Sequence, residues 1–170
     1  PVTFYHADHV LPDFTDYSMK ERTYRYMTGE ALYPFGYGLS YTTFAYGRAT
    51  ADREQVTKEG VAIRVTVKNT GTMAGAETVQ AYVKIHREDT PNAQLKGICK
   101  LRLAPGEEGE ALIHLPVQAF GLYDQEGKLQ LQKGRASVSI GGQGPDVRSS
   151  RLTGQDVQFL EFEIPQDMTL

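Results

Sequence analysis

The sequence predicts an all-β fold, an antiparallel β-sandwich that is preceded by an extended N-terminal arm. Between residues 61 and 140, apolar residues repeat at every second position in five short segments, as they do in strands with one buried face. Turn-forming residues lie between these segments, and no stretch of comparable length has helical periodicity. Short strands at close spacing are typical of a β-sandwich, and a β-barrel is the alternative architecture.

The clearest strand pattern covers residues 61–68. Val61, Ile63, Val65 and Val67 share one face, and the residues between them share the other. Cys99, the single cysteine, alternates with apolar neighbours, so we expect a small buried hydrophobe and no internal disulfide. The other predicted strands have their apolar positions within residues 79–85, 95–103, 111–115 and 136–140.

The first 31 residues predict an extended arm with at most one short helical turn. They contain Pro12 and Gly29, many polar residues and no sustained period. Residues 2–5 predict a strand that has no evident partner in the sequence. We therefore expect this chain to be a fragment of a longer polypeptide.

Composition excludes several classes of function. The net charge of −3 is small and of mixed origin, which argues against nucleic acid or an anionic membrane as the partner. No apolar run approaches the ~20 residues of a membrane span. Hydrophobic content of 40% and charged content of 23% are those of an ordinary globular domain.

Residues 32–44, LYPFGYGLSYTTF, combine several aromatic rings with a proline and two glycines and run directly into strand-like sequence. Pro34 restricts its own φ and favours extended geometry at Tyr33, whereas Gly36 and Gly38 permit positive φ or close backbone contact. The segment is therefore predicted to be an ordered turn that is buried against another part of the molecule.

This turn and the motifs around it resemble the C-terminal fibronectin type III-like domain of glycoside hydrolase family 3, the β-glucosidases and β-xylosidases. LYPFGYGLSYTTF is similar to the segment that opens that domain, and RTYRY at residues 22–26 resembles the approach to it in the β-xylosidase-like branches. VKNTG (67–71), GAETVQAYV (75–83) and LKGICKLRLAPGE (95–107) follow in the family order. The resemblance covers residues 1–142.

The chain is predicted to have three parts, and the resemblance implies the first two. Residues 1–31 would be an extended arm that ends a preceding α/β domain, and residues 32–142 an immunoglobulin/fibronectin type III-like β-sandwich. Residues 143–170 lie outside the resemblance, and the alternation of Leu160, Phe162 and Ile164 with polar residues predicts a loop followed by a final strand. We expect residues 141–154 to form a mobile loop.

The resemblance also implies that this chain by itself is not catalytic. Family members hydrolyse terminal β-D-glucosides or β-D-xylosides with two carboxylates, and the segments that supply both lie upstream of the region matched here. We therefore expect no catalytic residue, cofactor or metal ligand in this chain. Its role would be to stabilise the upstream catalytic domains of the same polypeptide, in a periplasmic or extracellular setting, because such enzymes are commonly exported.

The aromatic stretch is predicted to contact neighbouring domains, because each ring combines a large apolar area with a polar tip. Without those neighbours, the same side chains would promote self-association of the isolated chain. Sugars also stack on aromatic rings, so a glycan is the alternative ligand. The predicted contact residues are Arg22, Tyr24, Arg25, Tyr26, Tyr33, Phe35, Tyr37 and Tyr41.

Two functions of other classes compete with the structural role. A carbohydrate-binding module would use the aromatic stretch at residues 24–46 as a sugar platform. A fibronectin-like protein-interaction domain would bind a protein encoded elsewhere.

Other candidate sites are weaker. The run His6-Ala7-Asp8-His9 offers metal-binding side chains, but neighbours on an extended arm rarely converge on one ion, so a polar loop is favoured. GGQG at residues 141–144 resembles a phosphate-binding loop but shows no clear helix start after it, so a turn is favoured. Acidic loop residues are expected to be solvated or to cap turns, namely Asp13, Asp16, Glu21, Asp124 and Glu126.

Overall fold

The computed structural model describes residues 2–169 and consists mainly of antiparallel strands in two packed sheets. The strands are, in chain order, β1 (Phe44–Tyr46), β2 (Thr50–Ala51), β3 (Val61–Asn69), β4 (Gly75–Ile85), β5 (Gln94–Leu103), β6 (Glu108–Leu115), β7 (Leu122–Tyr123), β8 (Leu129–Leu131), β9 (Gly134–Gly141), β10 (Gln158–Ile164) and β11 (Met168–Thr169). The helices are α1 (Thr23–Tyr26), a 3-10 helix (Val117–Phe120) and α2 (Val147–Thr153). This architecture confirms the predicted all-β sandwich.

The first sheet is built around β3. β6 pairs along one edge of β3, from Val61 opposite Leu115 to Lys68 opposite Glu108, and β1 and β2 pair along the other edge. The apolar side chains of the 61–68 pattern are at most 1% exposed, and each contributes about 2 kcal/mol relative to an exposed position. β6 begins at residue 108, earlier than its apolar pattern predicts, because its backbone pairing with β3 continues beyond the alternating residues.

The second sheet has the order β10-β9-β4-β5. Its inner face packs on the first sheet through the alternating apolar residues of β4, β9 and β10. The two layers approach closely at Gly97, where an added Cβ would press on the side chain of Ile113. Cys99 packs against this core but is only half-buried, whereas the sequence predicts a buried residue. The short strands β7, β8 and β11 form a separate small sheet.

The segment after β9 differs from the prediction of a mobile loop, because it contains α2. The Asp146 side chain accepts a hydrogen bond from the Ser149 amide at the start of this helix, and Gly154, with φ +68°, ends it in the left-handed conformation. The helix after the GGQG run was therefore missed. The Asp146 carboxylate caps the N-terminus of α2, so this helix end is not free to bind a phosphate group. The GGQG run is therefore still interpreted as a turn.

The last long strand, β10, occupies the segment where the sequence suggests one. It pairs with β9 from Gln158 opposite Ile140 to Ile164 opposite Gly134. Phe162 and Ile164 are buried in the shared core. β10 is thus an edge strand of the second sheet.

The N-terminal arm is mostly irregular and contains α1 as its one short helical turn among the described residues. Residues 2–5 do not form the predicted strand: only Phe4 makes an isolated β-bridge, to Tyr33. The strand pattern fails here because backbone hydrogen bonds to Leu32 and Tyr33 fix only Phe4, and its neighbours have no ladder to join. No helix within residues 2–169 is long and apolar enough to cross a bilayer.

Candidate functional site

The outer face of the second sheet, which the alternating pattern predicts to be polar, is partly covered by the arm. Gln80 and Tyr82 of β4 and Ser137 and Ser139 of β9 point to this face, and all four are at most 8% exposed. The sequence assigned Gln80 and Tyr82 to the correct face of β4. It could not show that other parts of the chain would bury them.

Aromatic stacking fixes the arm on this face. The rings of Tyr24 and Phe35 lie parallel with their centroids 3.9 Å apart, and both meet the Tyr82 ring edge-on at 6.4 Å. These are favourable geometries for aromatic pairs. Burial raises the pKa of the Tyr82 hydroxyl, and the nearby Tyr24 and Asp146 add to this effect. The 24–35 segment therefore packs on its own sandwich through these rings.

Buried hydrogen bonds reinforce the aromatic contact. The Tyr82 hydroxyl donates to Gln80 Oε1 at 2.7 Å. Gln80 Nε2 donates to the carbonyls of Gly36 (3.0 Å) and Gly142 (2.9 Å), which joins the arm and the β9–α2 loop to β4. Gly36 has φ +86°, a conformation that favours glycine, so its carbonyl reaches Gln80 because of the turn chemistry in the sequence.

Asn92, which precedes β5, binds the backbone of the arm from the other side. Its side-chain amide donates to the carbonyls of Tyr24 (3.0 Å) and Met27 (2.8 Å), and its backbone N–H donates to the Arg25 carbonyl at 2.7 Å. The Leu95 amide also donates to the Tyr24 hydroxyl. These contacts hold α1 in place, and no local sequence signal marks Asn92 for this role.

A cavity of about 550 Å³ lies between the arm, the β9–α2 loop and the outer face of the sheet. Its wall includes Tyr24 and Phe35 from the arm, Tyr82 and Ser139 from the sheet, and Phe159 from β10. A volume of this size is in the range of small-molecule sites. The cavity is the candidate binding site of this chain.

Two carboxylates line the cavity, and both are engaged by their own chain. Asp146 accepts hydrogen bonds from the amide and hydroxyl of Ser149, both at 2.7 Å. Glu30 pairs with Arg151 at 2.7 Å. Both carboxylates are thus held by contacts within the chain, unlike the free acid and base that glycoside hydrolysis requires.

Only some of the predicted contact residues reach this site. Tyr24 and Phe35 are in the cavity wall, and the Arg25 guanidinium lies 5.9 Å from the centroid of the Tyr24 ring. Tyr37 stacks on Tyr33 with centroids 5.7 Å apart, at a second aromatic cluster that also includes Phe4. The structure therefore separates the predicted stretch into a part that packs on the sandwich and a part nearer the surface.

The remaining predicted residues lie outside the cavity wall. Arg22 donates to the backbone carbonyls of Asp13, Asp16 and Ser18. Tyr26 is 37% exposed and Tyr41 is 96% exposed. Within residues 2–169, no cluster of three or more His, Cys, Asp or Glu side chains is placed to hold a metal ion, and His9 stacks on Tyr5 at 4.5 Å.

A second buried polar contact joins the two sheets at one end of the sandwich. The Tyr46 hydroxyl donates to the half-buried Glu77 carboxylate. Burial raises the pKa of Glu77, and the hydrogen bond from Tyr46 offsets part of that rise. Burial also raises the pKa of Tyr46, with a further contribution from the Glu77 charge.

We expect the Glu77→Gln substitution to change how stability depends on pH. The folded pKa of Glu77 lies above its unfolded value, so its contribution is fully present below the unfolded pKa and is lost as pH rises through the folded pKa. The variant should therefore become more stable relative to the wild type as pH rises from about 4 through the folded pKa of Glu77. Urea unfolding across this range measures the difference.

Glu108→Gln provides the matched control, because Glu108 lies on β6 with its side chain exposed. Its difference from the wild type should vary little with pH. An equal pH response in both variants would contradict the role assigned to burial of Glu77.

Comparisons with a family model, with known sequences and with solved structures give consistent matches. A family model described as a fibronectin type III-like domain matches residues 77–143. A "Xylan 1,4-beta-xylosidase" from Xylanibacter ruminicola is 38% identical over 156 residues, which cover 89% of this chain and 18% of the relative. The chain therefore spans about a fifth of the length of this relative.

Solved structures agree with the sequence matches. A β-glucosidase from Kluyveromyces marxianus superposes with a TM-score of 0.70 and 32% identity, covering 88% of this chain and 17% of that one. A GH3 β-glucosidase from Bifidobacterium adolescentis superposes with a TM-score of 0.67 and 27% identity, covering 79% of this chain and 19% of that one. In both, the match covers a minor part of a much longer protein.

Proposed function

Since this chain belongs to the fibronectin type III-like domains of family 3 β-glucosidases and β-xylosidases, we propose that it is a non-catalytic module at the C-terminal end of such a glycosidase. Its role is to hold the upstream catalytic domains in position. The longer protein would hydrolyse terminal β-D-glucosides or β-D-xylosides. The names of the relatives support both substrate classes.

An ordered loop on the arm carries the argument for a docking role. The Asp13 carboxylate accepts hydrogen bonds from the amide and hydroxyl of Thr15, and the Asp16 carboxylate accepts one from the Ser18 amide. These bonds lower the pKa of both aspartates. Arg22 closes the loop by donating to three backbone carbonyls. The loop is therefore organised before any partner arrives.

This organised loop presents apolar side chains to solvent. Phe14 is 86% exposed and Tyr17 is 91% exposed. Tyr41 and Leu39, on the turn before β1, are 96% and 88% exposed. Large exposed apolar groups on a fixed backbone are typical of an association surface. The rest of a longer polypeptide is the partner that the one-fifth coverage of the relatives supports.

The proposal is tested by complementation. We expect this chain alone to hydrolyse neither p-nitrophenyl β-glucoside nor p-nitrophenyl β-xyloside. The upstream part of the same polypeptide, expressed without it, should have low activity that rises when this chain is added. Activity of the chain alone, or full activity of the upstream part alone, would refute the structural role.

Two variants make the complementation test specific for the arm. Phe14→Ser with Tyr17→Ser should weaken the restoration, because the docking surface is lost. Tyr123→Ser should not, although Tyr123 is 75% exposed, because it lies on β7 outside the arm. Sedimentation of each sample should precede the assay, since we propose that the same arm side chains promote self-association of the isolated chain.

We also propose a periplasmic or extracellular location for the longer protein. The support is the resemblance to glycosidases, which are commonly exported. Cell fractionation with an antibody against this chain measures it, and a cytoplasmic signal would refute it.

A further inference from the structure

A row of three side chains crosses the outer face of the second sheet beside the cavity. Tyr82 of β4 and Phe159 of β10 are the cross-strand partners of Ser139 of β9, on its two sides. Cross-strand partners project to the same face. A small serine between two large rings leaves a hollow in the cavity wall, and the Ser139 hydroxyl lies buried beneath it.

The Ser139 hydroxyl is a buried polar group without a partner. Ser139 is 2% exposed, and its Oγ finds no hydrogen-bond partner within residues 2–169. In contrast, the hydroxyl of Ser137, two residues earlier on the same face, is 3.0 Å from His86 Nε2. An unpaired buried hydroxyl is destabilising unless a ligand pairs with it. Ser139 therefore points to a ligand that can donate or accept at this position.

The two aromatic walls of the hollow differ in exposure, since Tyr82 is buried and Phe159 is mostly exposed. Tyr82 is buried and held under Tyr24 and Phe35. Phe159 is 60% exposed, although it lies in the cavity wall. Its ring thus offers a free apolar surface next to the buried, unpaired hydroxyl of Ser139.

The charges around the cavity do not select an ion. Its charged side chains have partners on this chain: Lys84 with the carbonyls of Thr90 and Pro91, Glu30 with Arg151, Asp146 with Ser149, and Arg148 with the Leu32 carbonyl. Recognition is therefore left to the apolar surface and the neutral hydroxyl groups. This combination fits a neutral ligand that has apolar faces and hydroxyl edges.

We propose that the hollow over Ser139 binds a neutral saccharide of one or two pyranose rings. A pyranose C–H face packs on the Phe159 ring, and a sugar hydroxyl exchanges a hydrogen bond with Ser139 Oγ. The cavity volume of about 550 Å³ accommodates a ligand of this size. The site is not catalytic, and the inference does not depend on the proposed structural function.

The test uses the complete 170-residue chain. Xylose, glucose, xylobiose and cellobiose are titrated by calorimetry, with saturation-transfer NMR to identify the sugar protons in contact. We expect saturable binding of at least one sugar with a Kd of about 1 mM, with the C–H protons of one face receiving the largest transfer. Absence of saturable binding by all four sugars would overturn the proposal.

Variants locate the binding at the hollow. Phe159→Ser should weaken binding by about tenfold, since it removes an aromatic contact of the usual strength. It should leave the fold intact because the ring is mostly exposed. Ser139→Val should weaken binding as well, by replacing the hydroxyl with a methyl group.

The matched control is Ile98→Ser, at an exposed apolar side chain of β5 that does not line the cavity. It should bind the sugars like the wild type. Equal affinity of the Phe159→Ser and Ile98→Ser variants for every sugar would place the binding elsewhere and overturn the proposal. This comparison holds even if Ser139→Val does not fold.

Discussion

Replacing Asn69 with aspartate is expected to destabilise the protein by about 4 kcal/mol. Asn69 is 0% exposed, and its amide nitrogen donates to the carbonyls of Met73 (2.8 Å) and Leu103 (3.0 Å). Its oxygen accepts from Thr42 Oγ1 and the Gly71 amide. Aspartate keeps the shape but turns the donor into an acceptor, which leaves two buried carbonyls facing a carboxylate.

Urea unfolding of the Asn69→Asp variant measures this loss. The introduced carboxyl group is buried beside carbonyl oxygens, so its folded pKa should be raised. The destabilisation should therefore decrease as pH falls through the folded pKa towards about 4 and level off below that pH. Thr43→Ala is the control, because the Thr43 and Thr70 hydroxyls pair at the exposed edge of the same turn. Its effect should be about 0.5 kcal/mol. Similar losses in both variants would contradict the role assigned to the buried amide.

Replacing Gly36 with alanine is expected to cost about 3 kcal/mol and to release the arm from the sheet. Gly36 has φ +86°, and an added Cβ would lie under 3.0 Å from both the Tyr82 hydroxyl and Gln80 Oε1. Those atoms cannot move aside easily, since Tyr82 is 1% exposed and is enclosed by the rings of Tyr24 and Phe35. The bond from Gln80 to the Gly36 carbonyl would be lost.

Gly38→Ala is the matched control for Gly36→Ala, two residues away in the same turn. An added Cβ at Gly38 meets nothing within 4 Å, so the change should be neutral or stabilising by about 0.5 kcal/mol. Thermal unfolding measures both variants. Limited proteolysis should cut the Gly36→Ala arm much faster than that of the control, and equal cutting rates would show that the turn does not anchor the arm.

The core strands could be predicted because their packing repeats along the sequence. In β3 and β4 successive side chains point to opposite faces, and the apolar residues of the core face recur at every second position, a period that is visible without any knowledge of partners. The family motifs at residues 32–44 and 67–71 also mark real structural constraints. Gly36 occupies a left-handed conformation, and Asn69 ties together several backbone segments.

Sequence patterns predicted the secondary structure less well near the two ends of the chain. Residues 2–5 have a strand-like composition, yet only Phe4 finds a partner. The α2 helix was missed because seven residues give no helical period, although Asp146 and Gly154 mark its two ends. In both places a few specific contacts, and not a repeating pattern, decide the structure.

The sequence by itself determined the sandwich, its long strands and the family that the domain resembles, because these depend on alternation and on motifs read along the chain. Only the tertiary structure decided which aromatic rings face this domain and which face solvent. Tyr24 and Phe35 meet Tyr82 across the sheet, whereas Phe14, Tyr17 and Tyr41 remain exposed. It also placed the unpaired Ser139 hydroxyl beside Phe159. These arrangements join residues far apart in the chain, so no local pattern could have specified them.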